Sequence, residues 1–253
     1  STAAPKGVEM THEHYCTTAL NLPDYMPELL HDRDGSILLF LPQAHSFARA
    51  INYIVVASDI HVYIAQGIRT LISDLQEARP SLMIVVPRVL EKVYNAASQK
   101  AGHGAGGLVF AAAAIAARNY MAQVGATGRA GALATARRAS FDPLVYRSLR
   151  QVLGGRVKWI VTGGAPLDPQ LLAFYRGAGV PVYAGYGLTE TTAPCASSPL
   201  GTPFRPGPVG IPFPGFTLRI AEDGETQVRG TAVCHRYHTQ DEANAAPLPS
   251  DGR

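Results

Sequence analysis

Two short segments carry residue types that could hold a ligand. One is Thr162-Gly163-Gly164-Ala165-Pro166; the other is Gly185-Tyr186-Gly187-Leu188-Thr189-Glu190. Glycines at the exit of a strand let a flat ligand approach the backbone with no Cβ in the way. A tyrosine between two glycines can offer its ring face for stacking. Thr189 and Glu190 stand one step further on. There a hydroxyl and a carboxylate suit a phosphate oxygen and the magnesium that bridges phosphates. On this reading the segments form a nucleotide cradle, with the base on Tyr186, a phosphate by Thr189 and the metal on Glu190. Spacing alone leaves a plainer reading equally open: the glycines turn the chain and Glu190 is solvated.

Such segments need a rigid edge to stand on. "RVKWIVTGG" (Arg156 to Gly164) reads as a strand running into two glycines. "APLDPQLLAFYRGAG" reads as a helix capped by Asp168, with Pro169 in its first turn and Gly177 and Gly179 as its stop. "VPVYAGYG" is the next strand. In an open parallel sheet, ligands bind just beyond the carboxyl ends of the strands, so both segments are expected side by side there. Upstream, "SILLFLP" (Ser36 to Pro42), "IHVYIA" (Ile60 to Ala65) and "SLMIVVP" (Ser81 to Pro87) are strand-like apolar runs separated by helical periodicity. The alternation predicts an α/β fold, with parallel sheets flanked by helices. A helical excursion spans about 102–153. After Pro194 prolines and glycines crowd the chain, and Asp223-Gly224 marks a hairpin turn. The expected division is an α/β core over 1–199 and the start of a small β subdomain over 200–253.

Composition narrows the partners. The 253 residues are 47% hydrophobic and carry a formal net charge of +3, too small and scattered to imply nucleic acid. The longest apolar stretch, "GLVFAAAAIAARNYM", is short, alanine-rich and broken by Arg118, so it reads as a helix packed on protein. No leader is expected, because residue 1 already lies in a turn. Cys16, Cys195 and Cys234 are far apart and odd in number, which points to a reducing compartment and a cytoplasmic location. Contact at the membrane periphery and self-association are left open.

Five ordered segments resemble the adenylate-forming superfamily, which comprises acyl-CoA synthetases, peptide-synthetase adenylation domains and luciferases. "TGGAPL" followed by "YGLTETTAP" resembles its core signature. "STAAPKGVEMTH" (Ser1 to His12) resembles the second half of its phosphate loop, and "LLFLPQAHSFAR" (Leu38 to Arg49) the segment at its acyl pocket. "VPRVLEKVYN" (Val86 to Asn95) is similar to the long-chain fatty acyl-CoA synthetase branch. "GPVGIPFPGFTLRI" (Gly207 to Ile220) is similar to the lead into the β subdomain. The resemblance implies an ATP-dependent fatty acid–CoA ligase. A long-chain fatty carboxylate attacks the α-phosphorus of ATP, and coenzyme A then displaces AMP. It implies ATP or AMP, Mg2+ and coenzyme A at the site. Gly164, Ala165 and Pro166 would line one side of the adenine and Tyr186 the other. Thr189 would contact the α-phosphate and Glu190 the magnesium. His45 would stand at the mouth of the acyl tunnel, with Gly163 and Gly164 shaping its wall. Thr2 and Lys6 would belong to the loop closing over the β- and γ-phosphates.

The departures are expectations too. Ala3 stands where the phosphate loop has glycine, with Ala4 following it, and Arg236 replaces a usual glycine. The resemblance implies that the chain stops before a ribose-binding aspartate and lacks the C-terminal lid with its adenylation lysine. An inactive internal fragment of a synthetase is therefore expected. Two alternatives stay open: the same fold acting on an aryl or amino acid, and a non-catalytic nucleotide-binding or interaction module. "THEH" (Thr11 to His14), His235 and His238 read as exposed turns rather than metal ligands. Arg88, Glu91 and Lys92 read as a solvated helix face.

Overall fold

The computed structural model describes residues 6–198 and 209–238. The strands are β1 (Gly7–Val8), β2 (Ser36–Leu39), β3 (His61–Ile64), β4 (Leu82–Val85), β5 (Trp159–Thr162) and β6 (Val182–Leu188). After them come β7 (Ala193–Ser197), β8 (Ile211–Pro212), β9 (Phe216–Ile220), β10 (Thr226–Gly230) and β11 (Tyr237–His238). The helices are α1 (His12–Tyr25), α2 (Pro27–Leu30), α3 (Ser46–Val56), α4 (Leu71–Ala78) and α5 (Pro87–Ala101). They continue as α6 (Ala105–Thr127), α7 (Ala132–Ser140), α8 (Arg147–Val152) and α9 (Pro169–Gly177). A π-helical turn, Asp142–Tyr146, precedes α8. Among the described residues, no helix is long and apolar enough to cross a membrane.

Seven strands form the main sheet in the order β3-β2-β4-β5-β6-β7-β8. From β3 to β6 all neighbours are parallel, as the strand-helix alternation predicts. The last two pairings, β6 with β7 and β7 with β8, are antiparallel. Successive residues of a strand face opposite sides, and the core divides accordingly. Leu38, Met83, Val85, Ile160 and Val182 pack under the helices on one face. Ile37 and Leu82 pack with α1 to α3 on the other.

The helices between 102 and 153 return to the sheet rather than leaving it. Phe110, Ala113, Ala117 and Tyr146 share one core with Met83 and Ile160. A Cβ on Gly177 would lie 2.4 Å from the Ala117 carbonyl oxygen, so α6 and α9 touch backbone to backbone. Gly177 therefore serves close packing rather than the helix stop, which falls to Gly179 at φ 79°. Asp168 does cap α9, accepting from Gln170 N–H at 2.6 Å.

"THEH" is not an exposed turn. It opens α1, and His14 is fully buried. Thr11 Oγ1 accepts from His14 N–H at 3.3 Å while His14 Nδ1 accepts from Thr11 N–H at 3.2 Å, a reciprocal cap. Pro23 within the helix hides it from sequence periodicity. β9 and β10 pair antiparallel around the expected turn, with Gly224 at φ 88° and Asp223 Oδ1 accepting from Glu225 N–H at 3.0 Å.

Candidate ligand-binding site

β5 and β6 run parallel with Thr162 opposite Ala184, so Gly163 and Gly164 leave the sheet beside Gly185, while Gly185 to Leu188 stay in β6 and pair with β7. Their backbones are close: a Cβ on Gly163 would lie 3.4 Å from Gly185 O and 3.6 Å from the Phe47 ring. Gly164 has φ 82°, a left-handed conformation that a side chain would strain.

The polar run after Gly187 has two jobs. Thr189–Thr191 form a 3-10 turn between β6 and β7, and Thr192 and Ala193 follow at φ 53° and 78°. Such strain persists only where surroundings hold it. Thr191 and Thr192, both buried, supply that hold. Thr191 Oγ1 accepts from Leu188 N–H at 2.9 Å, and Thr192 Oγ1 donates to Ala232 O at 2.7 Å. Thr189 is exposed and Glu190 half-buried, and both line a cavity.

That turn stands at the mouth of a cavity of about 290 Å³. His45, Ser46, Gly163, Gly164, Thr189 and Glu190 surround the mouth, and Gly185 and Gly187 form a Cβ-free wall. Deeper in, Met26, Leu29, Ile51, Ile54 and Phe213 make the lining apolar. His45 caps α3, its Nδ1 accepting from Phe47 N–H at 3.2 Å. Ser46 Oγ hydrogen-bonds Thr189 Oγ1. A polar mouth over an apolar shaft suits a molecule with a charged head and a hydrocarbon tail.

Glu190 is held at both ends. Cys234 N–H donates to its carbonyl oxygen at 2.7 Å, and Tyr237 Oη donates to its Oε1 at 2.9 Å. Burial, and then this bond to a carboxylate, push the Tyr237 phenol up to about 12. Oε2 is the oxygen of Glu190 not engaged by Tyr237, and magnesium commonly takes one or two carboxylates and completes its shell with phosphates and water. A lone, oriented carboxylate beside the Thr189 hydroxyl fits a phosphate-borne magnesium. It does not fit a protein cage, and among the described residues no cluster of three metal-ligating side chains occurs.

The remaining candidates divide. Ala165 and Pro166 are exposed and Tyr186 is half-buried, and none of them lines the cavity. Ala165 and Pro166 follow the end of β5, and Tyr186 lies within β6. Lys6 Nζ stands 5.0 Å from the centroid of the Tyr237 ring. Thr2, with Ala3 and Ala4, lies outside the described residues. Arg236 lies in the contact between β1 and β11: its Nε pairs with Glu9 Oε2 at 2.6 Å, and His238 Nδ1 lies 3.1 Å from Glu9 Oε1. The Arg236 bond, then His238, hold the Glu9 carboxyl below its ordinary range. Arg88, Glu91 and Lys92 are exposed along α5, as expected. Sequence reasoning missed Ser46 and Tyr237. Each acts through a partner more than forty residues away, and no local pattern marks either.

The profile of the AMP-binding family, described as "AMP-binding enzyme", matches residues 1–235. The chain is 41% identical over 243 residues to the long-chain-fatty-acid–CoA ligase FadD15 of Mycobacterium bovis, covering 96% of this chain and 40% of the relative. It is 31% identical over 266 residues to long-chain-fatty-acid–CoA ligase 6 of Mus musculus, covering 100% of this chain and 37% of the relative. It thus spans about two fifths of the length of these curated relatives. Among solved structures, the o-succinylbenzoate coenzyme A synthetase of Bacillus subtilis, in complex with ATP and magnesium, matches with a TM-score of 0.64. At 18% identity, over 98% of this chain and 43% of that one, the likeness is one of fold.

Proposed function

Because the chain belongs to the family of AMP-binding enzymes, we propose that it forms the nucleotide- and acyl-binding part of an ATP-dependent long-chain fatty acid–CoA ligase. The observation that carries the reading is the apolar cavity whose mouth is framed by His45, Thr189, Glu190 and the two glycine-bearing segments. The fatty chain lies in the shaft, which puts its carboxylate at the mouth. Thr189 orients the α-phosphate, and Tyr186 with Ala165 and Pro166 holds the adenine. Magnesium, when bound at Glu190, supplies positive charge to the phosphates. The residues' work is positioning and exclusion of water, which brings carboxylate and phosphorus into reach. Lys6 and Thr2 belong to the loop over the outer phosphates. Coenzyme A is the second acceptor, and a cytoplasmic enzyme meeting its lipid at the membrane periphery fits these substrates. On this reading residues 1–199 are core and 200–253 begin a β subdomain.

The lining favours a fatty acid over an amino acid. An ammonium group in the shaft would need a carboxylate, and around the cavity the acidic residue is Glu190, at the mouth and bonded to Tyr237.

Calorimetric titration of the chain with AMP and with palmitoyl sulfamoyl adenosine tests the reading. Each buried methylene contributes about 0.8 kcal/mol, so even a few raise affinity by roughly a hundredfold. Ile54→Trp, which fills the shaft, should remove the gain and leave AMP binding alone. Equal affinity for AMP and the acyl compound would sink the proposal.

A further inference from the structure

We propose that Tyr237 is a positioning residue for Glu190, and that its side chain sets the Glu190 carboxylate and the Lys6 ammonium relative to one another. The proposal rests on the reading of Glu190 as the magnesium-side carboxylate.

Glu190 sits in a short turn, where a glutamate side chain has several staggered rotamers open to it. The turn itself does not choose among them. The choice comes from the segment 234–237, which grips the residue by its backbone carbonyl and by Oε1, at 2.7 and 2.9 Å. Thr192 Oγ1, bonded to Ala232 O, ties the same turn to the chain just before that segment. A phenol has one proton to donate. Oε1 is fixed by it, and Oε2 is the oxygen left to point at a ligand. Outer hydrogen bonds of this kind orient metal-binding carboxylates and raise metal affinity.

The ring of Tyr237 has a second contact. Val8 pairs with Tyr237 and Gly7 with His238, so Lys6 enters the two-stranded ladder one residue before its start. Its Nζ then stands 5.0 Å from the ring centroid, within cation–π reach. One side chain thus touches a carboxylate through its hydroxyl and an ammonium through its ring.

Tyr237→Phe separates the two contacts, because it keeps the ring and removes the hydroxyl. The 253-residue chain and its variants are titrated with ATP in magnesium and in EDTA, with AMP in EDTA, and melted thermally. Magnesium should raise ATP affinity in the parent chain, and Tyr237→Phe should lose about tenfold of that gain, as expected for a hydrogen bond to a charged group. AMP binding in EDTA and the melting temperature should hold. In a Glu190→Gln background, Tyr237→Phe should change the magnesium gain no further, the non-additivity of residues acting as a unit. An undiminished magnesium gain in Tyr237→Phe, with AMP binding intact, overturns this proposal and leaves the functional reading standing. So does a uniform loss of all nucleotide binding together with a lower melting temperature, which marks a purely structural tyrosine. A parent chain that binds no nucleotide in any condition overturns both.

Discussion

Ser46 Oγ lies 3.3 Å from Thr189 Oγ1, so the first residue of α3 donates a hydrogen bond to the hydroxyl at the cavity mouth. The helix that walls the shaft and the Thr189–Thr191 turn at the mouth are thereby joined. Ser46→Ala should leave Thr189 free to rotate and weaken AMP binding by a few-fold to tenfold. Exposed as the pair is, stability should change by less than about 1 kcal/mol. Calorimetry and a thermal melt check both halves. Unchanged AMP affinity would dismiss the bond as incidental.

Two glycines around the cavity, Gly187 and Gly163, should respond differently to a methyl group. On Gly187 a Cβ would lie 1.6 Å from the Ala193 carbonyl oxygen, a collision with backbone across the tight β6–β7 hairpin. Gly187→Ala should therefore cost about 3 kcal/mol or more, within the range of severe packing errors. On Gly163 the nearest atoms are at 3.4 and 3.6 Å, which is ordinary contact. Gly163→Ala should fold and should narrow the cavity beside Phe47, weakening the acyl compound more than AMP. Urea melts of the two variants decide the first claim and ligand titrations the second.

Stability should fall as the solution is acidified below the ordinary histidine value of about 6.5. His14 is fully buried, and burial first, then the neighbouring His235 at 5.0 Å between ring centroids, lower its folded pKa, against a smaller opposing pull from Glu13. The unfolded chain binds that proton at a higher pH than the folded one. The stabilisation is complete above the unfolded value and drains away as pH drops through the lowered folded value. Urea midpoints at pH 7.5 and 5.5 should differ, and the difference should shrink in His14→Gln. An equal difference in both proteins would assign the effect to other groups.

The 253-residue chain assayed by itself should make no acyl-CoA. Its curated relatives are about two and a half times as long, since it covers 40% and 37% of them. Among the described residues around the cavity, the acidic group is Glu190. Incubation with ATP, magnesium, palmitate and coenzyme A, read by pyrophosphate and thioester release, is the check. Turnover near 1 per second or faster, within the range typical of enzymes, would show that the chain by itself is sufficient.

Where the sequence was legible, a local cause stood behind it. Continuous apolar runs closed by proline marked β2 and β4, Asp168 with Pro169 marked the start of α9, and Asp223-Gly224 marked the β9–β10 turn. The glycines at the carboxyl ends of β5 and β6 were legible as bare backbone, yet spacing alone left a ligand and a plain turn equally open. What stayed hidden was long-range or disguised. Pro23 masked α1, and the bond from Tyr237 to Glu190 spans 47 residues. The four polar residues after Leu188 look alike in sequence, yet burial separates Thr191 and Thr192 from Thr189 and Glu190. Only the fold makes that division.

The close approach of α6 and α9 makes a lever of the latter. Arg138 Nε donates to Gly177 O and Arg150 Nη1 to Ala178 O, each at 2.7 Å, so two arginines from the 102–153 segment grip the carboxyl end of α9. Arg150 is braced in turn by Asp142, 2.8 Å away. α9 is nine residues long, roughly 13 Å, and its other end begins just past Pro166. A loosened grip at Arg138 should therefore reach the Gly163-to-Pro166 segment from the opposite end of α9 without touching it. Amide exchange at Gly163 and Gly164 is where an Arg138→Ala substitution should register first.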